Sequence, residues 1–361
     1  MQALVVERPG GPLGLSEVPL MSLRDGYCRV KLHYAQLNHL DWELAFKGTS
    51  MVATYPLIPG MEGAGVVVDT RGDATWLGRR VAVPYAAPCG SCPYCLAGED
   101  ELCQQRMLPG VTVPGTIAEY IDLPCPTLVG LPEEVSLEAA AGFQGTLVVA
   151  WHAVVTQGQV RPGDRVLVTG ATGTLGAAVA AVAQLHGATV TAVARNVERL
   201  RMLSEWVPDL TTVAAQGPDW AERIRETAGA GGVSLAVDLV GGPTLERCLA
   251  VVGPGGRVVS LGALAGTVAK VGVLGLFQRQ ITIRGSRRFR TAERASVLGL
   301  LAQGRLHLAP ARVFPLGDAV AALDSIGSRT FTGRIVVAMD PSRGTNSQTR
   351  EGKPPPAPAA R

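Results

Sequence analysis

A short run of glycines between a predicted strand and a predicted helix is the feature that most limits what this chain can fold into. The strand "RVLVTG" leads directly into "GATGTLG", which places glycines at positions 170, 173 and 176. A helix is predicted next, over Leu175–His186, with Gly187 at its end. A structural turn needs one or two glycines, so three at this spacing indicate a backbone that something approaches closely.

The same alternation of strand and helix continues through the middle of the chain. Further short strands of the buried type are predicted at "TVTAVA", "LTTVAA", "SLAVDLV" and "RVVSLG", with helices between them over Val197–Ser204, Trp220–Thr227 and Thr244–Ala250. This alternation predicts a doubly wound α/β domain, in which helices cover both faces of a parallel sheet.

In that setting the glycine loop is interpreted as a dinucleotide-binding turn. Gly170, Gly173 and Gly176 let the backbone approach a pyrophosphate, and the N–H groups of Thr174 and Leu175 at the helix start bind its oxygens. A Gly-rich loop alone is a weak indication, but its place between strand and helix in a repeated β-α series makes it strong. The alternative, a purely structural turn, is disfavoured by the number of glycines.

The end of the second strand of this series bears on the choice of cofactor. An acidic residue there would bind the ribose 2′-hydroxyl of NAD. The sequence has "AVARNVER" instead, with Ala194, Arg195 and Arg199, and no carboxylate before Glu198. A guanidinium suits a 2′-phosphate, so NADPH is preferred over NADH. The alternative is that Arg195 is a solvated surface side chain.

The chain outside this series is organised differently. Up to about Pro126 it consists of short β-like runs punctuated by Gly and Pro, followed by a predicted helix over Leu137–Val155 that Ser136 caps. Beyond about Gly285 we predict a helix over Ala292–Gln303 and a strand over Arg334–Val337. The tail 341–361 is polar and Pro-rich, and is predicted to be disordered.

Composition and charge exclude several classes of protein. Hydrophobic residues make up 47% and charged residues 17%, with a formal net charge of +3, which is typical of a globular chain and favours no nucleic-acid partner. No signal peptide and no apolar run of about 18 residues is found, so we expect a cytoplasmic protein without a membrane partner. In a reducing compartment the seven cysteines are expected to be thiols or metal ligands rather than disulfides.

Four of those cysteines lie in one short loop, "PCGSCPYCLAGEDELC". Cys89, Cys92, Cys95 and Cys103 fit a closed tetrahedral zinc site with four thiolate ligands. Such a site leaves no position for water or substrate, so the zinc is predicted to be structural. Four unligated thiols in one loop would be liable to oxidation, which disfavours the alternative.

The combined motifs resemble the medium-chain dehydrogenase/reductase superfamily, which includes zinc alcohol dehydrogenases and quinone oxidoreductases. The matching segments are "LNHLDW", "PGMEGAGVV", the four-cysteine loop, "GATGTLG", "RVVSLGA" and "FTGRIVV". The resemblance implies a GroES-like β-rich catalytic domain over 1–145 with a zinc lobe at 88–104, a Rossmann domain over 146–286, and a return to the catalytic domain over 287–340. Nicotinamide and substrate would meet in a cleft between the domains.

The resemblance also implies further cofactor-binding residues and a large departure from the alcohol dehydrogenase pattern. His39, Gly262, Ala263 and Arg334 match positions that contact the cofactor. The three usual ligands of a catalytic zinc, however, fall on Asn38, Met61 and near Gly145, although Asp41 and Glu62 are retained. These three residues cannot replace thiolate and imidazole, so we predict that no catalytic zinc is bound.

Without a Lewis acid, a hydride acceptor whose product anion is already stabilised is favoured. The leading hypothesis is therefore an NADPH-dependent reductase of an activated C=C bond or a quinone, with Asn38 as a hydrogen-bond donor to the developing oxyanion. A turn-forming role for Asn38 is the alternative. The competing functions are an alcohol dehydrogenase or carbonyl reductase, and an NADPH-binding sensor without turnover.

The substrate is expected to be a small molecule, and the proton donor is not assigned. From the resemblance we also expect a homodimer, in which the edge strand Ile281–Gly285 pairs with its twofold mate.

Overall fold

The structure is a computed structural model that describes residues 1–49, 54–217, 219–229, 231–328 and 332–340. The chain divides into two compact units. The first unit comprises Met1–Gly145, Leu301–Gln303 and the described part of 310–340, and the second comprises Thr146–Leu300 and Gly304–Ala309. The predicted return at 287 differs from this division, because 287–300 belong to the second unit. The predicted disordered tail, 341–361, lies outside the described residues.

Strands dominate the first unit and alternate with helices in the second. The strands are β1 (Gln2–Val6), β2 (Leu13–Glu17), β3 (Tyr27–Leu37), β4 (Glu62–Thr70), β5 (Arg80–Ala82), β6 (Tyr120–Pro124), β7 (Val129–Gly130), β8 (Arg165–Thr169), β9 (Thr189–Ala194), β10 (Leu210–Ala214), β11 (Val233–Asp238), β12 (Val252–Ser260), β13 (Thr282–Gly285), β14 (Ala311–Pro315) and β15 (Arg334–Ala338).

Most of the longer helices belong to the second unit. They are α1 (His39–Phe46), α2 (Pro93–Leu96), α3 (Leu137–Ala140), α4 (Val149–Trp151), α5 (Thr174–Leu185), α6 (Val197–Trp206), α7 (Trp220–Ala228), α8 (Pro243–Val251), α9 (Val273–Gln278), α10 (Glu293–Ala302) and α11 (Ala319–Ser328). Among the described residues, no helix combines the length and the apolar character that crossing a membrane would require.

The first unit is organised around the long strand β3. This strand pairs antiparallel with β4, β6 and β15, and β14 extends the sheet in parallel beyond β15. Alternate β3 side chains, such as Val30 and Leu32, are buried in the main core of this unit together with Leu4 and Leu123. The end of β3 delivers Gln36 and, one residue after the strand, Asn38 to the polar site described below.

The helix predicted over Leu137–Val155 is not continuous. Ser136 does cap its start, since its Oγ accepts the N–H of Ala139 at 3.1 Å, but α3 ends at Ala140. The chain then forms the wide turns of a π-helix at Gln144–Val148 and again at His152–Gln157, on either side of α4. The backbone N–H of Gly145 bonds to the carboxylate of Glu62, which explains why a regular helix is not kept there.

The expectation that the cysteines form no disulfide is wrong for one pair. Cys28 on β3 and Cys125, just after β6, form a disulfide inside the core of the first unit, and both residues are buried. The two strands are adjacent and antiparallel, which brings their ends together. Compartment and motif spacing do not report this pairing, because the two cysteines are 97 residues apart in the sequence.

The second unit contains one six-stranded parallel sheet in the order β10-β9-β8-β11-β12-β13. The order reverses between β8 and β11, so their carboxyl ends lie beside the topological switch point where such sheets bind ligands. The inner strands β9, β8, β11 and β12 are mostly buried, as expected for a sheet covered on both faces, whereas the edge strands β10 and β13 are more exposed. The strand β13 lies at one edge of the sheet.

Candidate active site

The glycine loop has the backbone geometry that a pyrophosphate site needs. Gly170 has a φ of +64°, a conformation that L side chains rarely adopt, and Gly173 caps the start of α5. A Cβ at Gly176 would lie 2.4 Å from the carbonyl oxygen of Gly170, so the third glycine is what lets α5 pack against the loop. The N–H groups of Thr174 and Leu175 belong to the first turn, where helices provide no internal acceptor. The loop therefore fits a dinucleotide.

The residues that follow β9 leave the guanidinium of Arg195 exposed at the carboxyl edge of the sheet, where the glycine loop also lies. Arg195 is exposed directly after the buried Ala194. Asn196 begins α6 by accepting the N–H of Arg199 at 3.0 Å. Glu198, the nearest carboxylate in the sequence, pairs with Arg201 on the helix surface at 2.8 Å.

A buried carboxylate organises the loop after β11. Asp238 accepts the hydroxyl of Thr169 at 2.6 Å and the N–H groups of Val240 and Gly241 at 3.2 and 2.9 Å. Burial raises the pKa of Asp238, and these hydrogen bonds oppose the rise. Sequence reasoning does not predict this role, because one Asp at the end of an apolar strand has many possible uses.

The predicted cofactor residues Gly262 and Ala263 follow β12 and lie against that loop. A Cβ at Gly262 would lie 2.1 Å from the carbonyl carbon of Leu239, and one at Gly241 would lie 2.4 Å from the carbonyl oxygen of Gly262. The two loops therefore approach each other by backbone contact. Together with the Gly170 loop and Arg195, they lie at the carboxyl edge of the sheet, so the second unit brings all its predicted cofactor residues to one edge.

The four cysteines converge as predicted. The sulfur atoms of Cys89, Cys92, Cys95 and Cys103 all lie within 4.8 Å of one another. The Sγ atom of Cys95 is 3.9 Å from that of Cys89 and 3.5 Å from that of Cys92. Tetrahedral zinc with Zn–S bonds of about 2.3 Å would space its sulfurs by about 3.8 Å, so the donor set fits zinc. Backbone N–H bonds from Ser91 and Cys92 lower the pKa of Cys89 to about 6, whereas burial and the neighbouring thiols raise the pKa of Cys95 to about 12.

A second polar cluster in the first unit surrounds the side chain of Glu62, which is 1% exposed. Its Oε1 accepts hydrogen bonds from Gln36 Nε2 at 3.2 Å and Asn38 Nδ2 at 3.1 Å. Its Oε2 accepts the backbone N–H of Gly145 at 2.9 Å. Burial raises the pKa of Glu62 to about 7, although the bonds from Gly145 and Asn38 lower it. Asn38 is half-buried and begins α1.

A neighbouring buried carboxylate fixes the backbone at Asn38. Asp41 Oδ2 accepts the N–H of Asn38 at 2.7 Å, and its Oδ1 accepts the N–H of Gly60 at 3.0 Å. Burial raises the pKa of Asp41 to about 7 as well. Asp41 therefore holds the start of α1 to the segment before β4.

The remaining predicted cofactor residues lie in the first unit. His39 is the first residue of α1, where its ring stacks on Trp42 with centroids 5.4 Å apart and its Nε2 lies 3.5 Å from Glu43. Arg334 on β15 is 4% exposed, pairs with Glu138 and donates to Gln36 Oε1 at 3.3 Å. The guanidinium of Arg334 is thus engaged within the Glu62 cluster, and its expected cofactor contact stays a prediction.

Two protein-family models match this chain. A GroES-like alcohol dehydrogenase domain model matches residues 24–133, and a zinc-binding dehydrogenase model matches residues 174–303. The chain belongs to the medium-chain dehydrogenase/reductase superfamily. The predicted fold class, a GroES-like domain with a Rossmann domain, is confirmed, and the protein is an NAD(P)-dependent medium-chain oxidoreductase.

Relatives of this oxidoreductase cover most of its length. An alcohol dehydrogenase of Geobacillus stearothermophilus is 29% identical and covers 94% of this chain and 100% of its own. An acryloyl-coenzyme A reductase of Sulfurisphaera tokodaii is also 29% identical, over 73% of this chain and 77% of its own. A crystal structure of an NAD-dependent alcohol dehydrogenase superposes with a TM-score of 0.87 at 31% identity, covering 94% of this chain and all of that one.

The residues of this medium-chain oxidoreductase do not fit a catalytic zinc of the alcohol dehydrogenase type. The resemblance places the three ligand positions at Asn38, at Met61 and near Gly145, which offer an amide, a thioether and no side chain. Met61 is buried in an apolar cluster with Leu44 and Leu108. Among the described residues, the four cysteines are the one group of three or more Cys, His, Asp or Glu side chains placed to hold a metal ion.

Sequence reasoning missed part of the Glu62 cluster. Gln36 was not singled out, because a glutamine near the end of an alternating strand usually faces solvent. The available indication was Glu62, which lies within the apolar run "PGMEGAGVV". A carboxylate buried in such a run requires polar partners nearby.

Proposed function

We propose that this oxidoreductase reduces an activated C=C bond or a quinone with NADPH, without a catalytic metal. The observation that most supports this proposal is the cluster of polar side chains around Glu62. At the positions where zinc-type relatives carry metal ligands, this chain has a hydrogen-bond donor, Asn38, whose amide is held by a buried carboxylate. A relative named acryloyl-coenzyme A reductase, an enzyme for an activated C=C bond, supports this substrate class.

The chemistry suits a site that offers hydrogen bonds rather than a Lewis acid. Bound NADPH supplies a hydride. In an enone the β-carbon accepts it, the electron pair of the C=C bond moves to give an enolate, and a proton from solvent completes the saturated carbonyl. In a quinone, the hydride and one proton from solvent together give the hydroquinone. The Asn38 amide would donate to the oxygen on which negative charge develops, which is where a donor contributes most.

The NADPH preference is supported by the residues after β9. The exposed guanidinium of Arg195 has no carboxylate partner among its sequence neighbours, because Glu198 is engaged by Arg201. A 2′-phosphate would offer it a charge-assisted hydrogen bond, whereas a 2′-hydroxyl would not.

The deciding experiment compares two reactions of the same preparation. NADPH oxidation is followed with a conjugated enone and a simple quinone, and NADP⁺ reduction is followed with ethanol and secondary alcohols. The proposal expects turnover with the first pair and little with the second. Faster alcohol oxidation would assign the protein to the alcohol dehydrogenases instead, and NADPH binding without turnover on any acceptor would support a sensor role.

We also propose that the protein forms a homodimer through the edge strand β13. The chain leading to this strand exposes apolar side chains that water disfavours: Leu264, Val268, Val271, Val273, Leu274 and Phe277. Ile283 on β13 is 38% exposed. An open edge beside an apolar surface is a combination that pairing with a second copy would cover.

A further inference from the structure

A buried chain of hydrogen bonds links Arg334 to Asn38 across the first unit. Arg334 Nη1 donates to Gln36 Oε1 at 3.3 Å, and Gln36 Nε2 donates to Glu62 Oε1 at 3.2 Å. Asn38 Nδ2 donates to that same oxygen at 3.1 Å. The other terminal nitrogen of the Arg334 guanidinium, Nη2, pairs with Glu138. The proposed chemistry uses only the Asn38 end, so the rest of the chain requires a separate explanation.

Two glycines leave room for this chain. A Cβ at Gly142 would lie 1.9 Å from Gln36 Oε1, and a Cβ at Gly145 would lie 2.5 Å from Glu62 Oε1. Both glycines follow α3, where the regular helix is interrupted. The local sequence therefore omits side chains at the points where Gln36 and Glu62 meet the backbone, and Gly145 adds a donor to the carboxylate.

We propose that Glu62 is a positioning residue that fixes which way the Asn38 side-chain amide faces, with Gln36 and Arg334 holding Glu62 in place. A carboxylate accepts hydrogen bonds only, so it must face Nδ2 of Asn38 and not Oδ1. One Nδ2 hydrogen is then used by Glu62, and the other is directed away from it toward the substrate oxygen. This inference rests on the proposed function, which gives Asn38 its contact with substrate.

The charged groups around Glu62 act on its carboxylate in opposite directions. Arg334 attracts its negative charge through the interior, whereas the buried Asp41 repels it. Glu138 faces Arg334, and the ring of Tyr85 lies beside Gly145. If Glu62 takes up a proton, its O–H becomes a donor that Asn38 Oδ1 can accept, and the amide orientation is no longer fixed. Because burial raises the pKa of Glu62 to about 7, this change falls within a measurable pH range.

The test observes the amide itself and needs no substrate. The chain has three asparagines, Asn38, Asn196 and Asn346, so selective ¹⁵N-asparagine labelling gives three side-chain NH₂ signals. The Asn38→Asp variant identifies the signal of Asn38. We expect that signal to shift with pH between about 5.5 and 8.5 in the unmodified protein, and to lose most of this shift in Glu62→Gln. The part that remains in the variant comes from Asp41, which accepts the backbone N–H of Asn38 and also has a pKa of about 7.

Matched variants separate positioning from a general effect on the fold. Asp122→Asn removes a carboxylate of the same unit that pairs with Arg29 on β3, outside the cluster, and should leave the Asn38 titration unchanged. If Glu62→Gln does not fold, Gln36→Met removes one donor and the link to Arg334, and should raise the pH midpoint of the Asn38 signal. An Asn38 signal that does not titrate, or that titrates identically in the Glu62 and Gln36 variants, overturns the proposal.

Turnover provides an independent measurement. With an acceptor that the unmodified protein reduces, Glu62→Gln should lower kcat by roughly 100-fold and change the KM for the acceptor less, since misorientation of a catalytic group acts mainly on the chemical step. The unmodified enzyme should lose activity as pH falls below about 7, and this acid limb should disappear in Glu62→Gln. Absence of all reductase activity would refute the proposed function, whereas the amide titration decides the positioning role alone.

Discussion

At the residue scale, Gly145 combines two tasks. Its N–H binds Glu62 Oε2, and its missing side chain leaves space for Glu62 Oε1. The resemblance to zinc-type dehydrogenases places a metal ligand near this position, whereas here the position serves a carboxylate. Gly145 is thus part of a polar site of its own.

Gly145→Ala should damage this site. The new methyl group would lie within 2.5 Å of Glu62 Oε1 and 3.1 Å of Tyr85 Cδ2, so the carboxylate must move. We expect the free energy of unfolding to fall by about 1–3 kcal/mol, as for overpacked cores, with a larger relative loss of reductase activity. The control is Gly130→Ala, where an added Cβ meets no atom within 4 Å. Equal effects of both substitutions on activity would contradict this account.

Arg195→Ala should separate the two cofactors. Loss of a charge-assisted contact to the 2′-phosphate is expected to weaken NADPH binding by about 1.5–3 kcal/mol and NADH binding hardly at all. Fluorescence titration measures both affinities. Arg201→Ala serves as the matched control, because that exposed arginine pairs with Glu198 and Glu205 on α6. If the unmodified protein binds NADPH and NADH equally, the NADPH preference is wrong.

At the scale of elements, the zinc lobe is the part of the chain whose stability we expect to depend most on a bound ion. Between Cys89 and Cys103 the secondary structure consists of the single turn α2 and a short 3₁₀ turn, and Tyr94, Leu96 and Leu102 are exposed. A segment with so little buried apolar surface gains little from packing. Metal coordination can supply the missing free energy, because ligands brought together on folding make binding energy available to the fold.

Cys92→Ser should therefore lower zinc content and stability together. We expect most of the bound zinc to be lost. The free energy of unfolding should fall by about 4 kcal/mol, because loss of a structural metal is among the changes with the largest effects on stability. Metal analysis and denaturant unfolding measure the two effects. Cys248→Ser changes a buried thiol of the second unit and should keep the full zinc content. A stable Cys92→Ser protein without zinc would show that the ion is dispensable.

The elements differed in how far the sequence could predict them. The β-α series was predictable strand by strand, because buried parallel strands are short apolar runs and each helix between them carries its own start and end signals. The helix over Leu137–Val155 was not, because its interruption depends on Glu62, which is distant in sequence and adjacent in space. The Cys28–Cys125 disulfide escaped prediction for the same reason: it follows from strand pairing.

The candidate site shows the same limit. Local motifs indicated the Gly170 loop, the four cysteines and the replacement of zinc ligands at Asn38, Met61 and Gly145. They could not indicate that Gln36 and Arg334 join Glu62, since strands β3, β4 and β15 bring these residues together. Long-range pairing of this kind leaves no periodic signal in a single sequence.

At the scale of the whole molecule, the exposed apolar surface before β13 should govern assembly. Val273→Glu with Phe277→Glu places charge on side chains that are 67% and 63% exposed on α9. We expect light scattering to give a dimer mass for the unmodified protein and a monomer mass for this variant at micromolar concentration. Leu96→Glu, on an equally exposed leucine of the zinc lobe, should remain dimeric. A monomeric unmodified protein would refute the proposed dimer.

The zinc-to-chain ratio of active, dialysed protein tests most directly whether the chemistry proceeds without a metal. The four cysteines account for one ion, and Asn38, Met61 and Gly145 provide no second set of ligands. We predict a ratio near one, with NADPH-dependent reduction unchanged by a chelator mild enough to leave the fold intact. A ratio of two, or activity that is lost to the chelator before any unfolding, would contradict the account.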